Sequence, residues 1–248
     1  MSILKRYFIE LTFNGSKYHG WQKQENAISV QQVLNNAMST LLRQDVETLG
    51  CGRTDSGVHA TQLFAHFDAM AELDENKFLK SLNSLLPYDI AVNRLIPVHP
   101  EAHARFDAVK RSYQYQVHFK KDPFKQGFSW LLRDVPDIQK MNRAAAILKE
   151  YRDFSCFSKS NTQTFTNNCV ITRAEWESNG SSLVFHISAD RFLRNMVRAI
   201  VGTLISIGRN EINEDDLRKI IESKNRSKAG ASVPACGLYL TEVVYPYI

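Results

Sequence analysis

The chain has 248 residues, enough for one large domain or two small ones and for a core burying roughly 70–75% of the unfolded surface. Hydrophobic residues make up 44% and charged residues 23%, a globular composition that excludes a disordered or fibrous chain. Lysine and arginine outnumber aspartate and glutamate by 31 to 26, a net charge of +5 that permits an anionic partner such as nucleic acid without demanding one. The four cysteines, Cys51, Cys156, Cys169 and Cys236, form no C-x-x-C pair, which speaks against a zinc site and a disulfide scaffold. The stretch Met1-Ser2-Ile3-Leu4-Lys5-Arg6 lacks an apolar run of signal length, and no run of about 18 apolar residues occurs. A cytoplasmic protein with no membrane span is expected.

Residues Arg6 to Phe13, rich in aromatic and β-branched side chains, predict a strand, and Asn14-Gly15-Ser16-Lys17 a turn. Ser29 can cap a helix with Val30, Val33, Leu34, Ala37, Met38, Leu41 and Leu42 on one stripe. Strands are expected near Glu47 to Leu49, at Gln62 to Phe67 and at Asp89 to Ile96, with a helix over Asp74 to Leu85 stopped by Pro87. The second half repeats this order. It carries a long strand from Arg105 to Phe119 and a helix from Asp137 to Tyr151. A hairpin follows, of Cys169 to Glu177 and Ser182 to Ser188 around Asn179-Gly180. Then come a long apolar helix from Phe192 to Gly208, a shorter one from Asn213 to Ser223, and a last strand from Gly237 to Tyr245. Two copies of β-α-β-β-α-β predict an α+β fold of two ferredoxin-like (RRM-like) halves, residues 1–100 and 101–248. The halves would share a mostly antiparallel sheet with helices on one side. A cleft between such halves is a usual ligand site.

Three stretches can carry chemistry. The first is Cys51-Gly52-Arg53-Thr54-Asp55-Ser56-Gly57-Val58-His59-Ala60, a polar turn flanked by glycines. Thr54, Asp55 and Ser56 can bond nearby amides, so the turn fixes one carboxylate in place; it is a catalytic turn or a decorated hairpin. A carboxylate kept ionised needs a nearby cation, which Arg53 or Arg198 can supply. On the expected long helix, Arg191, Arg194 and Arg198 fall at i, i+3 and i+7 and share a face. That face predicts an anion site, either for phosphates or for a buried Asp–Arg pair; a salt-bridged helix edge is the alternative. The second stretch, Phe106 to Tyr115, places Arg111, Tyr113 and Tyr115 on one strand face, where aromatic rings can stack on bases and cations can meet phosphates. The third, Asn14 to Gln24, gathers Lys17, Trp21 and Gln22 in one loop, an RNA-contacting surface or a loop pinned by Trp21. The histidines show no metal spacing, and structural roles are expected for His59, His66, His99 and His103.

Taken together these motifs resemble the TruA family of tRNA pseudouridine synthases. The resemblance runs nearly end to end, through Gly15-Ser16-Lys17-Tyr18-His19-Gly20-Trp21-Gln22, Ser29-Val30-Gln31, Gly52 to Ala60, Leu86-Pro87-Tyr88-Asp89-Ile90, His103-Ala104-Arg105-Phe106, Tyr113-Gln114-Tyr115, Met196-Val197-Arg198 and Gly237-Leu238-Tyr239-Leu240. Departures are small: Ser56 stands where the family often has alanine, and Cys51 precedes the glycine. The resemblance implies conversion of uridine to pseudouridine at positions 38 to 40 of the tRNA anticodon arm, without metal or other cofactor, by a homodimer. It implies Asp55 as the essential carboxylate, Tyr113 as the tyrosine stacking on the uracil and assisting removal of the C5 proton, and Arg198 as the partner of the aspartate. Arg53 would bind the RNA or hold the loop, and Leu238 would line the base pocket; Arg191, Arg194, Lys17 and Gln22 are further candidate RNA contacts. A synthase acting at other RNA positions, a non-catalytic RNA-binding protein and a carboxylate glycosidase are the competing readings. The last would want a second acid about 5 Å or more away, and no paired acid stands out.

Overall fold

The computed structural model describes residues 4–159 and 165–248; of the N-terminal stretch read above, Met1, Ser2 and Ile3 lie outside it. The fold is mixed α+β, with a large, mostly antiparallel sheet and packed helices. Packing divides the chain into two compact units, Met1–Val109 with Leu240–Ile248, and Lys110–Tyr239.

In the first unit, β1 (Lys5–Phe13) is followed by α1 (Val30–Leu42), β2 (Leu49–Gly50), β3 (His59–Ala69), α2 (Glu75–Leu85) and β4 (Ile90–Val98). This is the expected element order. β1 is central, antiparallel to β3 and to β4, with Phe8 opposite His66 on one side and Ile96 on the other; β2 pairs with β3. Ser29 caps α1 by accepting the Gln32 amide, and Val30, Leu34 and Met38 are buried along its stripe. α1 also buries two polar side chains with partners. The Gln31 amide donates to the Thr48 carbonyl, and Asn35 Oδ1 accepts from the Thr48 amide and hydroxyl. Asp74 caps α2, whose Phe78 stacks on Phe67, itself stacked on Tyr7. On the opposite face of β1 and β3, Phe8 and Phe64 meet Tyr245 edge-on. Burying each such ring contributes about 1.5–3 kcal/mol.

The boundary at 109/110 differs from the expected 100/101. The segment 101–109 packs on the first unit: Arg6 donates to the Ala102 carbonyl, the Ala104 amide to His66 Nδ1, the Tyr245 hydroxyl to the Ala104 carbonyl, and the Val109 amide to the Val244 carbonyl.

The second unit holds β5 (Lys110–His118), β6 (Trp130–Leu131), α3 (Ile138–Ile147), β7 (Ile171–Ser178), β8 (Ser182–Ala189), α4 (Met196–Gly208) and α5 (Glu214–Glu222). β8 lies antiparallel to both β5 and β7. β6, which the sequence did not signal, pairs parallel with β5 through Val117 and Trp130. The last strand, β9 (Leu238–Val244), starts in the second unit and passes into the first after Tyr239.

Two expected elements are shorter than their patterns. The strand from Arg105 begins only at Lys110, because the preceding residues close a turn: the Asp107 amide donates to the His103 carbonyl and Asp107 Oδ2 accepts the His103 amide. The helix from Phe192 begins only at Met196, because Asn195 takes a left-handed conformation, φ 67°. α4 is nearly all apolar and buried, with Ala199, Ile200, Val201, Leu204 and Ile205 covered. No helix among the described residues is long and apolar enough to cross a membrane.

Candidate active site

The half-buried Asp55 sits in the turn between β2 and β3. Within this turn the Val58 amide donates to the Asp55 carbonyl at 3.2 Å. The Cys51 amide ties its start to the Phe64 carbonyl at 2.7 Å. The turn is backed by the loop 15–20. The Tyr18 carbonyl accepts the Gly57 amide and the Ser56 hydroxyl, each at 3.3 Å. Gly20, at φ +86°, packs so closely that a Cβ would lie 2.2 Å from the Thr54 carbonyl oxygen. Only glycine fits both that conformation and that approach. The Thr54 hydroxyl is buried and has no hydrogen-bond partner among the described residues.

The backing loop is itself anchored. The Tyr18 hydroxyl donates to Asp89, which also accepts from Lys17 Nζ at 3.2 Å, while the Asn14 amide donates to the Asp89 carbonyl. Burial raises the Asp89 carboxyl pKa, but the Tyr18 and Lys17 hydrogen bonds outweigh it and hold the group below its ordinary value. Burial, and then the bond to Asp89, push the Tyr18 phenol well above its usual range. Arg53, Lys17 and Gln22 are exposed. His19 is exposed too, its amide donating to the Ile28 carbonyl and its own carbonyl accepting from Gln24.

In the second unit, Tyr113 lies on β5, half-buried, with its ring edge-on to Phe192 at 5.1 Å. Arg111, two residues before it, donates to the Asp190 carbonyl at 2.9 Å. Tyr115 is fully buried and donates to the Pro234 carbonyl, so it is a packing residue. Arg198 projects from the first turn of α4. Its Nε donates to the Val233 carbonyl at 2.7 Å, and the Val233 amide returns a bond to the Arg198 carbonyl. Cys236 stands near enough that Arg198 opposes, without overcoming, the upward push of burial on its thiol. Leu238 is buried at the start of β9.

The shared arginine face is not formed. Arg191 and Arg194 precede α4 in irregular chain, so the i, i+3, i+7 relation to Arg198 does not apply. Arg194 is exposed and Arg191 half-buried, its amide on Asp190 Oδ1.

Sequence reasoning missed the strap 226–233 that holds Arg198. Arg226 grips the Ala229 and Gly230 carbonyls and the Ser232 hydroxyl, and Asn195 also donates to Ser232. No spacing rule signals this strap, because its bonds run to backbone carbonyls and to the Ser232 hydroxyl within irregular chain. The sequence also gave no role to Tyr18 and Asp89, although both lie in motifs singled out above; two glycines five residues apart around Tyr18 were the available sign of a close backbone approach.

A family described as tRNA pseudouridine synthase matches residues 144–246, which hold β7, β8, α4, α5 and β9. That part of the chain is thus similar to tRNA pseudouridine synthases. The tRNA pseudouridine synthase A of Bacteroides fragilis is 51% identical over 245 residues, covering 98% of this chain and 97% of that protein. Its counterpart from Parabacteroides distasonis is 50% identical, with 98% and 97% covered. The one from Thermoanaerobacter pseudethanolicus is 36% identical, with 98% and 100% covered. The chain belongs to the tRNA pseudouridine synthase A family.

Proposed function

We propose that this chain carries out its family's reaction on tRNA, isomerising uridine to pseudouridine at positions 38 to 40 of the anticodon arm, with Asp55 as the essential carboxylate. The N1–C1′ bond breaks, the uracil turns, and C5 bonds to C1′; the C5 hydrogen leaves as a proton and N1 takes one up. No bond order is gained or lost overall, so the reaction needs no redox partner. The observation that carries the reading is the Asp55 turn, clamped from behind by loop 15–20, in a chain related to the family over nearly its whole length.

The target base must first leave its stack, at a cost of a few kcal/mol. Tyr113 offers the ring on which the flipped uracil stacks and the hydroxyl that assists removal of the C5 proton, and Leu238 the apolar wall. Arg198 is the counter-charge to the Asp55 carboxylate. Arg53, Arg191, Arg194, Lys17 and Gln22 hold the RNA backbone. The chain forms two ferredoxin-like halves, and a homodimer in the cytoplasm presents two such sites. That arrangement accounts for a net charge of only +5 per chain.

Mapping pseudouridine in tRNA incubated with the purified protein tests reaction and position together. With Asp55→Ala, modification disappears while tRNA affinity stays within about three-fold. Residual turnover by that variant refutes the assignment.

A further inference from the structure

We propose that His59 is the positioning residue of the Asp55 turn, acting through its ring nitrogen on the loop that backs the carboxylate; this rests on Asp55 being the catalytic group. The Gly15 amide donates to His59 Nδ1 at 3.1 Å, and the ring is 2% exposed. A backbone N–H can only donate, so Nδ1 carries no proton in this arrangement and the neutral ring holds its proton on Nε2.

The consequence reaches Asp55 through the loop 15–20. Gly15 lies so close to the turn that a Cβ would fall 1.9 Å from the Val58 carbonyl oxygen. The Tyr18 carbonyl receives Gly57 and Ser56, and Gly20 abuts the Thr54 carbonyl. These contacts flank Asp55 on both sides. At its middle the loop is held by Tyr18 and Lys17 on Asp89. His59 supplies the near-end anchor, and it lies four residues beyond the aspartate that the loop supports. Without its acceptor the buried Gly15 amide loses this partner, and the loop relaxes away from the turn. Because catalytic geometry is sensitive at the 1 Å level, the loss appears in turnover rather than in tRNA binding.

The test compares His59→Leu with His59→Asn. Asn Oδ1 stands as many bonds from Cα as His Nδ1 and can accept from Gly15; the leucine methyl cannot. His59→Leu is expected to lower kcat about 10- to 100-fold with KM within about three-fold, and His59→Asn to recover kcat to within about five-fold of wild type. Equal impairment of both variants, or wild-type kcat in His59→Leu, overturns the proposal. If His59→Leu does not fold, His59→Phe keeps a planar ring in the same place and removes the acceptor for the Gly15 amide. A kcat loss at unchanged KM supports the role and an unchanged kcat overturns it. Asp55→Asn is measured in parallel. If it turns over, the catalytic reading fails. If it is dead beside a fully active His59→Leu, the positioning role alone fails.

Discussion

Replacing Gly20 with alanine tests how tightly turnover depends on the backbone behind Asp55. A Cβ at residue 20 would lie 2.2 Å from the Thr54 carbonyl oxygen and 3.2 Å from the Asp55 carbonyl carbon. The first contact involves backbone, so no rotamer relieves it. Either the 54–55 peptide or the loop must retreat by about 0.8 Å, an overpacking cost of about 1–3 kcal/mol. The φ of +86° adds about 1–2 kcal/mol of strain for any residue with a Cβ. At about 2–4 °C per kcal/mol in a chain of this length, the thermal midpoint falls by roughly 4–20 °C. A carboxylate displaced by nearly 1 Å loses about a hundred-fold in rate. The assay uses tRNA tritiated at uridine C5, since forming the C5–C1′ bond releases that hydrogen to water. It is run below the variant's melting range. A folded Gly20→Ala protein with kcat within about two-fold of wild type would refute the reasoning.

Tyr113→Phe is expected to abolish turnover while the melting temperature holds; full activity would reduce Tyr113 to packing against Phe192. Thr54→Val removes a buried hydroxyl that has no partner among the described residues, so stability should stay level or rise by up to about 1 kcal/mol in urea titrations. A clear destabilisation would show that the hydroxyl is bonded. Burial first, and then the neighbouring His103, lower the His66 pKa from 6.5 to about 4. Below pH 6.5 the unfolded chain therefore binds a proton that the folded one refuses, and stability falls progressively toward pH 4. The loss is on the order of 2–3 kcal/mol. His66→Phe should flatten that part of the pH–stability curve, and an unchanged slope would place the titration elsewhere.

Local chemistry made much of the fold legible. Ser29 and the stripe Val30–Leu34–Met38 mark α1, and Asp74 and Pro87 bracket α2, because caps and apolar periods act within one or two turns of chain. The arginine face was misread for a similar reason. Phe192, Met196, Val197 and Ile200 keep a helical period, yet Asn195 turns left-handed beside Ser232, thirty-seven residues away, and no local pattern encodes that bond. β6 has only two residues, too few for a period. At the site, the sequence marked Asp55 as a carboxylate on a turn. What lies behind the turn is a set of backbone contacts from loop 15–20, and backbone carbonyls leave no residue-type signature.

The path of β9 bears on how the protein is made. Residues 240–248 leave the ribosome after all of the second unit, yet Tyr245 closes over Phe8 and Phe64 and donates to the Ala104 carbonyl in the first. The unit translated first is thus completed last. During synthesis its Phe8–Phe64 face waits uncovered for the time it takes to add more than a hundred residues, several seconds or more at ~5–20 residues per second. A premature stop late in the message would leave residues 110–239 whole and strike instead at the unit that carries Asp55.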